Sequence, residues 1–124
     1  MTETLKLTLD DQGAGVVVIQ TDGYINNQGG EEIAKAAYQL IDKGNKYLLL
    51  DLSGTKIVNS IGISILIEII EKMLEIDGKL AFCNLTPTIE KTFHIMGLSQ
   101  YAGIFGDRDS AIGELMPPGQ IADQ

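Results

Sequence analysis

The 124-residue sequence contains no tryptophan, one cysteine, one histidine and few basic residues. The single cysteine, Cys83, excludes a disulfide within the chain and suits a reducing compartment. The net charge of −8 argues against nucleic acids and anionic membranes as partners, because both attract basic surfaces. One cysteine and one histidine also provide no ligand pair at the spacings that metal sites use, so we expect no metal site.

The sequence also lacks a long apolar run. Residues 1–10 contain no basic segment followed by an apolar one, and so predict neither a signal peptide nor a membrane anchor. The apolar stretch at 61–70 is interrupted by Gly62, Ser64 and Glu68, and it is shorter than the ~20 residues of a membrane span. We therefore expect a soluble, cytoplasmic protein with one compact core, which the chain length allows.

Apolar residues make up 44% of the chain and follow alternating strand-like and helix-like patterns. These patterns predict strands at 4–10, 15–23, 46–53, 78–85 and 101–106. They predict helices at 28–43, from Ser60 to before Gly78, at 88–97 and at 107–116. Asn27 and Asn59 are the predicted N-caps of the first two helices.

This order of elements predicts an α/β fold. Strands that alternate with helices pair in parallel through crossovers, and the opening hairpin adds an antiparallel strand. We expect one domain at residues 1–116, with a mixed, mostly parallel sheet, an N-terminal antiparallel hairpin strand and about four helices. Residues 117–124 are predicted to form a flexible C-terminal tail.

The junction between the third strand and the second helix has an unusual composition. Ser60 begins a helix whose polar arc also contains Ser64. Ile61 falls inside that polar arc, so we expect it to be exposed beside Ser60 and to be available to a partner. Gly62 costs ~1 kcal/mol relative to alanine inside a helix, which indicates a close backbone approach to a neighbouring element or a partner.

Ser60 occupies a position where a phosphate is well tolerated. The N–H groups and the positive end of a helix dipole favour an anion at the N-terminus by ~0.3–1 kcal/mol. Phosphorylation of Ser60 would add nearly two negative charges to an acidic protein without unfolding it. Its consequence is therefore expected at an interface.

Longer stretches of the sequence carry a family resemblance. "LLLDLS", a five-residue gap, "NSIG" and then "GKLAFCNLTPTIEKTFHIMGL" follow one another. From about Leu5 to Ile112 the chain resembles the STAS domain family, and specifically the bacterial anti-sigma factor antagonists. The family's "D-S-x-G" motif around a phosphorylated serine is matched by "NSIG" at 59–62, and its "G-x-L-D" stretch by "GYIN" at 23–26.

The resemblance implies a STAS-like domain that switches partners. Such an antagonist, when unphosphorylated, sequesters an anti-sigma factor that is also a serine kinase. The kinase phosphorylates the motif serine, here Ser60, and a metal-dependent serine phosphatase reverses the reaction. Nucleotide and magnesium belong to the kinase, so the resemblance implies no catalytic residue, metal or cofactor in this chain, and a homo-oligomer stays open. The implied partner-binding residues are Gly23, Tyr24, Ile25, Asn26, Asn59, Ile61, Gly62 and Ser64.

Two residues depart from the family pattern. Asn59 and Asn26 stand where aspartate is usual. Asparagine caps a helix about as well as aspartate, but an amide cannot accept a proton or pair with a partner's Arg or Lys. A non-switching STAS scaffold, or a subunit of a signalling or transport assembly, is therefore the alternative to the phosphorylated switch.

A small α/β hydrolase with Ser60 as nucleophile is a more remote alternative. Ser60 lacks the G-x-S-x-G setting of a hydrolase elbow. A serine–histidine pair would have to be formed with His94, the single histidine of the chain, which is more typical of a structural or surface residue.

Overall fold

Strands and helices alternate along residues 5–116, which are the residues that the computed structural model describes. The strands are β1 (Lys6–Gly13), β2 (Val16–Asp22), β3 (Tyr47–Gly54), β4 (Lys79–Cys83) and β5 (Gly103–Phe105). The helices are α1 (Asn27–Asp42), α2 (Ser60–Glu75), α3 (Pro87–Ile95) and α4 (Arg108–Leu115), with a 3₁₀ turn at Leu98–Gln100. The predicted order of elements is confirmed, whereas the predicted tail at 117–124 lies outside the described residues.

The five strands form one sheet in the order β1-β2-β3-β4-β5. β1 pairs with β2 antiparallel, and the other neighbouring strands are parallel. The predicted mixed, mostly parallel sheet is therefore confirmed. β1 extends to Gly13, beyond its predicted end at residue 10, because a register shift between Asp11 and Gly13 keeps the strand paired with β2.

Helices cover both faces of the sheet. Side chains alternate along a strand, so Leu48 and Leu50 of β3 enter the larger core, with α1, α2 and α3, while Leu49 enters the smaller core under α4. Phe82 of β4 and Phe93 of α3 pack edge to face in the larger core, with ring centroids 5.0 Å apart. Within 5–116, no helix combines the length and apolar character that crossing a membrane requires.

The carboxyl ends of the parallel strands share one edge of the sheet. The loops that leave β2 and β3 therefore emerge side by side and lead into α1 and α2. The predicted cap of the first helix is wrong by one residue: Asn26, not Asn27, is the N-cap, and Asn27 is the first helical residue. Both residues are asparagine, so composition alone could not distinguish the two starts.

Candidate functional site

The loops after β2 and β3 are hydrogen-bonded to each other through their backbones. The Gly23 N–H donates to the Gly54 carbonyl at 3.0 Å, and the Ile25 N–H donates to the Ile57 carbonyl at 3.0 Å. The Asn59 N–H donates back to the Ile25 carbonyl at 3.1 Å. Residues 23–26 and 56–64 therefore form one continuous surface, which we call the serine corner.

Ser60 is the first residue of α2 and is exposed. Asn59 caps the helix as predicted, because its Oδ1 accepts a hydrogen bond from the Gly62 N–H at 2.8 Å. The first turn of α2 contains no acidic residue. A phosphate on Ser60 would thus meet the positive end of the helix dipole without a carboxylate of the first turn opposing it.

Gly62 explains how closely α2 approaches the neighbouring loop. A Cβ at this position would clash with the backbone carbonyl oxygen of Ile25. The predicted close approach is therefore an internal contact, and Gly62 itself is buried. Gly23, at φ +131°, provides the turn that brings Ile25 under α2, since other residues rarely adopt that φ.

Two large apolar side chains are exposed near Ser60. Ile61 is 52% exposed, which confirms the exposure predicted from the helical arc. Ile57, in the loop before α2, is 56% exposed and was not among the predicted site residues. An apolar residue between a buried strand and a helix cap is the signal in the sequence that could have identified it.

The remaining predicted contact residues differ in what they offer a partner. Tyr24 and Asn26 are half-buried, and Ser64 is exposed with its Oγ donating to the Ser60 carbonyl at 3.1 Å. Ile25 is fully buried, so its side chain cannot contact a partner and serves to anchor the loop. Asn26 Oδ1 accepts from the Gly29 N–H at 2.8 Å, which makes it the neutral counterpart of Asn59 on α1.

A shallow depression lies between the two loops of the serine corner. It encloses about 310 Å³ and is lined by Tyr24, Lys56 and Ile57, with Asp22, Gly23 and Gly54. Lys56 is exposed and adds the positive charge of this surface. Lys56 was not among the predicted site residues, because a lysine in a loop is ordinarily only a solvated residue.

The residues that could serve as nucleophile or base do not form a catalytic pair. His94 Nδ1 is hydrogen-bonded to Ser99 Oγ at 2.8 Å, and its Nε2 lies 3.6 Å from Glu90 in an exposed pair, so its hydroxyl partner is not Ser60. Burial, followed by the charge of Asp51, raises the pKa of Cys83 to about 12, which keeps the thiol protonated. Among residues 5–116, no group of His, Cys, Asp and Glu could hold a metal ion.

A second polar cluster lies at the same edge of the sheet, and we call it the aspartate corner: Asp51, Asn84 and Arg108. Asp51, at 3% exposure, accepts hydrogen bonds from Arg108 Nε at 3.1 Å and Nη2 at 2.9 Å, and from Asn84 Nδ2 at 3.0 Å. Arg108 also reaches Asp10 at 3.2 Å and Gln20 at 3.1 Å. Helix α4 is thereby tied to three strands.

The ionisation of Asp51 reflects two opposing effects. Burial alone would raise its pKa, but the hydrogen bonds from Asn84, the Ser53 N–H and Arg108 outweigh burial and hold the pKa below its ordinary value of 3.8. Asp51 is therefore a paired carboxylate at neutral pH. Its partners Asn84 and Arg108 lie far from Asp51 along the chain, so no local pattern predicts them.

The chain is similar to a protein-family model and to a protein of known sequence. Residues 10–111 match the model of the STAS domain. A putative anti-sigma factor antagonist of Bordetella bronchiseptica, BtrV, is 24% identical over 107 residues, which cover 86% of this chain and 91% of that protein.

Solved structures share the fold. An anti-sigma factor antagonist from Mycobacterium paratuberculosis superposes with a TM-score of 0.79 at 21% identity, covering 92% of this chain and 96% of that one. The Bacillus cell fate determinant SpoIIAA in its phosphorylated form superposes with a TM-score of 0.71 at 19% identity, covering 88% and 98%.

Proposed function

Because the chain belongs to the STAS domain family, we propose that it is an anti-sigma factor antagonist that acts as a phosphorylation-controlled binding switch. In this proposal the unphosphorylated chain sequesters an anti-sigma factor serine kinase, and phosphorylation of Ser60 ends the complex. The observation that carries the proposal is the exposed Ser60 at the start of α2, with exposed Ile57 and Ile61 nearby. The similarity of the chain to BtrV and to the Mycobacterium antagonist supports the proposal.

The geometry explains how one phosphate could disrupt binding without unfolding the domain. Ser60 lies between Ile57 and Ile61 in the chain, so we expect a partner that covers these two side chains to remove water from Ser60 as well. Phosphorylation adds about −1.5 to −2 charges there, and burying an unpaired charge is far more costly than burying a hydroxyl. The phosphorylated domain remains folded, because the N-terminus of α2 accommodates an anion.

In the proposed phosphoryl transfer, this chain provides the acceptor hydroxyl and the kinase provides the other reacting groups. The Oγ of Ser60 forms a bond to the γ-phosphorus of ATP, the bond between that phosphorus and ADP breaks, and the hydroxyl proton goes to a base. The neighbouring cap, Asn59, is an amide and cannot accept the proton. The base, ATP and magnesium are therefore assigned to the kinase, and a metal-dependent serine phosphatase hydrolyses the phosphoserine.

Intact-mass measurement tests this proposal. The chain, incubated with ATP and the serine kinase that co-purifies with it, should gain the mass of one phosphate. Ser60→Ala should gain none, whereas the matched variant Ser64→Ala, one turn along α2, should still be phosphorylated. Phosphorylation that survives Ser60→Ala would overturn the assignment.

The neutral cap Asn59 favours one second function, a STAS scaffold that binds constitutively. In that case protein isolated from its native cell would carry no phosphate on Ser60 under any growth or stress condition, while its complex with a partner persists. A hydrolase would instead show ester hydrolysis that Ser60→Ala abolishes. We propose binding rather than catalysis, because His94 is bonded to Ser99.

A further inference from the structure

Three exposed large apolar side chains line one groove between α2 and the segment that follows α3. Leu74 is 48% exposed, Met96 49% and Tyr101 64%, and the groove encloses about 480 Å³. Buried Ile70 and Leu98 also line it and form its base. Single exposed apolar residues are common on protein surfaces, but several that share one concave surface mark a binding site.

This groove is separate from the serine corner. Ser60 and Leu74 lie near opposite ends of the sixteen-residue α2. A rise of ~1.5 Å per residue places their Cα atoms about 20 Å apart. A ligand in the groove would therefore leave Ser60 accessible to the kinase and phosphatase of the proposed function.

The lining of the groove carries negative charge and no positive charge. Glu71 lies in its lining, and no residue of the lining is Lys or Arg. Glu68 and Glu75 are three and four residues from Glu71 along α2, and with Lys72 they leave this part of the helix with a net negative charge.

We propose that this groove binds an amphipathic helix of another protein that carries Lys or Arg beside its apolar face. The apolar face would cover Leu74, Met96 and Tyr101, and the basic side chains would lie along the edge at Glu71. Helices that bind in grooves present apolar anchors at i, i+3 or i+4, and i+7, which suits a groove between two helical segments. The inference goes beyond the proposed function, which uses only the serine corner.

Charge argues against two other occupants. A second copy of this chain would bring another acidic edge against Glu71, and each copy carries a net charge of −8. An anionic membrane would be repelled for the same reason. A basic helix is the occupant that complements both the apolar lining and the acidic edge.

Peptide display tests the proposal. A phage-displayed library of randomised helical peptides is selected on the full chain, and the enriched peptides are measured by fluorescence anisotropy. We expect them to share apolar residues at helical spacing flanked by Lys or Arg. Leu74→Asp should weaken their binding by about tenfold or more, as loss of an interface anchor does.

Matched variants make the outcome specific. Leu9→Asp changes a side chain of similar exposure, 50%, on β1 and should leave peptide affinity unchanged. Ser60→Asp should also leave it unchanged, which separates this inference from the proposed switch. Thermal unfolding of Leu74→Asp checks that the variant is folded.

Four outcomes would overturn the proposal. One is enrichment of no basic amphipathic peptide, and another is equal weakening by Leu74→Asp and Leu9→Asp. A dimer in analytical ultracentrifugation that Leu74→Asp converts to monomer would assign the groove to a second copy. Binding that appears only after removal of residues 117–124 would assign it to the chain's own C-terminal segment.

Discussion

The serine corner and the aspartate corner lie at the same edge of the sheet but differ in exposure, in charge and in the contacts that hold them together. At the serine corner, Ser60 and Ile61 are exposed and neutral, and the backbone rather than the side chains holds the loops together. At the aspartate corner, Asp51 is buried and charged, and its two carboxylate oxygens accept hydrogen bonds from Arg108, Asn84 and the backbone.

The contrast indicates which corner supports the fold and which one faces a partner. A carboxylate inside the protein is stable only while its partners are present, so changes at the aspartate corner should reduce the free energy of unfolding. An exposed hydroxyl and an exposed isoleucine contribute little to that free energy. Changes at the serine corner should therefore act on binding. Stability and binding measured on the same variants test this division.

The largest effect is expected from Arg108→Ala. It leaves Asp51 buried without its cation, and breaking a fully buried pair costs about 3–5 kcal/mol; we expect about 2–4 kcal/mol, because Arg108 is 29% exposed. Urea denaturation measures the loss. The matched control is Asp10→Ala, which removes the exposed partner of the same arginine and should cost less than ~1 kcal/mol. Equal losses in the two variants would contradict the role of Asp51.

Low pH should also weaken the Asp51–Arg108 pair, with a smaller loss in the free energy of unfolding than Arg108→Ala causes. The pKa of folded Asp51 lies below its ordinary value of 3.8, so the carboxylate stabilises the fold above that pH. This stabilisation is lost as pH falls below 3.8 and through the lower folded pKa. In Asp51→Asn, unfolding measured against pH should show a smaller loss of stability in that window. An unchanged acid slope would count against the depressed pKa.

Gly62→Ala should destabilise the domain, although alanine is the better helix former. The added Cβ meets the Ile25 carbonyl oxygen, a backbone atom held by its bond to the Asn59 N–H, and overpacking costs about 1–3 kcal/mol. Gly113→Ala in α4 is the matched control, because a Cβ there meets nothing within 4 Å. That variant should gain up to ~1 kcal/mol from helix propensity. The midpoint of thermal unfolding should thus fall in Gly62→Ala and rise in Gly113→Ala.

Asn59→Ala should have a smaller effect than Gly62→Ala. It removes the hydrogen bond to the Gly62 N–H, and the loss of an N-cap typically costs ~1 kcal/mol. Asn59→Asp keeps an acceptor at the same place and should retain that stability, which urea denaturation of both variants will show. If Asn59→Asp lost as much as Asn59→Ala, the cap would not be what Asn59 contributes.

Local patterns predicted most of the fold and part of the serine corner. The spacing of apolar residues that distinguishes strands from helices depends only on residues close together in the sequence. The same is true of the cap of α2, because Asn59 and the Gly62 N–H that donates to it are three residues apart. The exposure of Ile61 followed from the same helical geometry. The roles of Ser60 and its neighbours in partner binding remain predictions.

Contacts between distant residues could not be predicted in this way. Arg108 and Asp51 are 57 residues apart, and no local pattern specifies that α4 brings the guanidinium over β3. The exposure of Ile57 and the burial of Ile25 likewise depend on how two loops pair across the sheet edge. These features are tertiary, and they are also what distinguishes the two corners.

Ile61→Asp should have the smallest effect on stability and a large effect on binding. Exposed substitutions usually act within ~0.5 kcal/mol, so the thermal midpoint should hardly change, while a charge in the proposed interface abolishes capture of the serine kinase. Ile95→Asp, at a more exposed isoleucine of α3, is the matched control and should retain the kinase. Calorimetric titration measures binding, and thermal unfolding measures stability. A marked loss of stability in Ile61→Asp would show that this residue supports the fold, and the serine corner could then no longer be distinguished from the aspartate corner by its small contribution to stability.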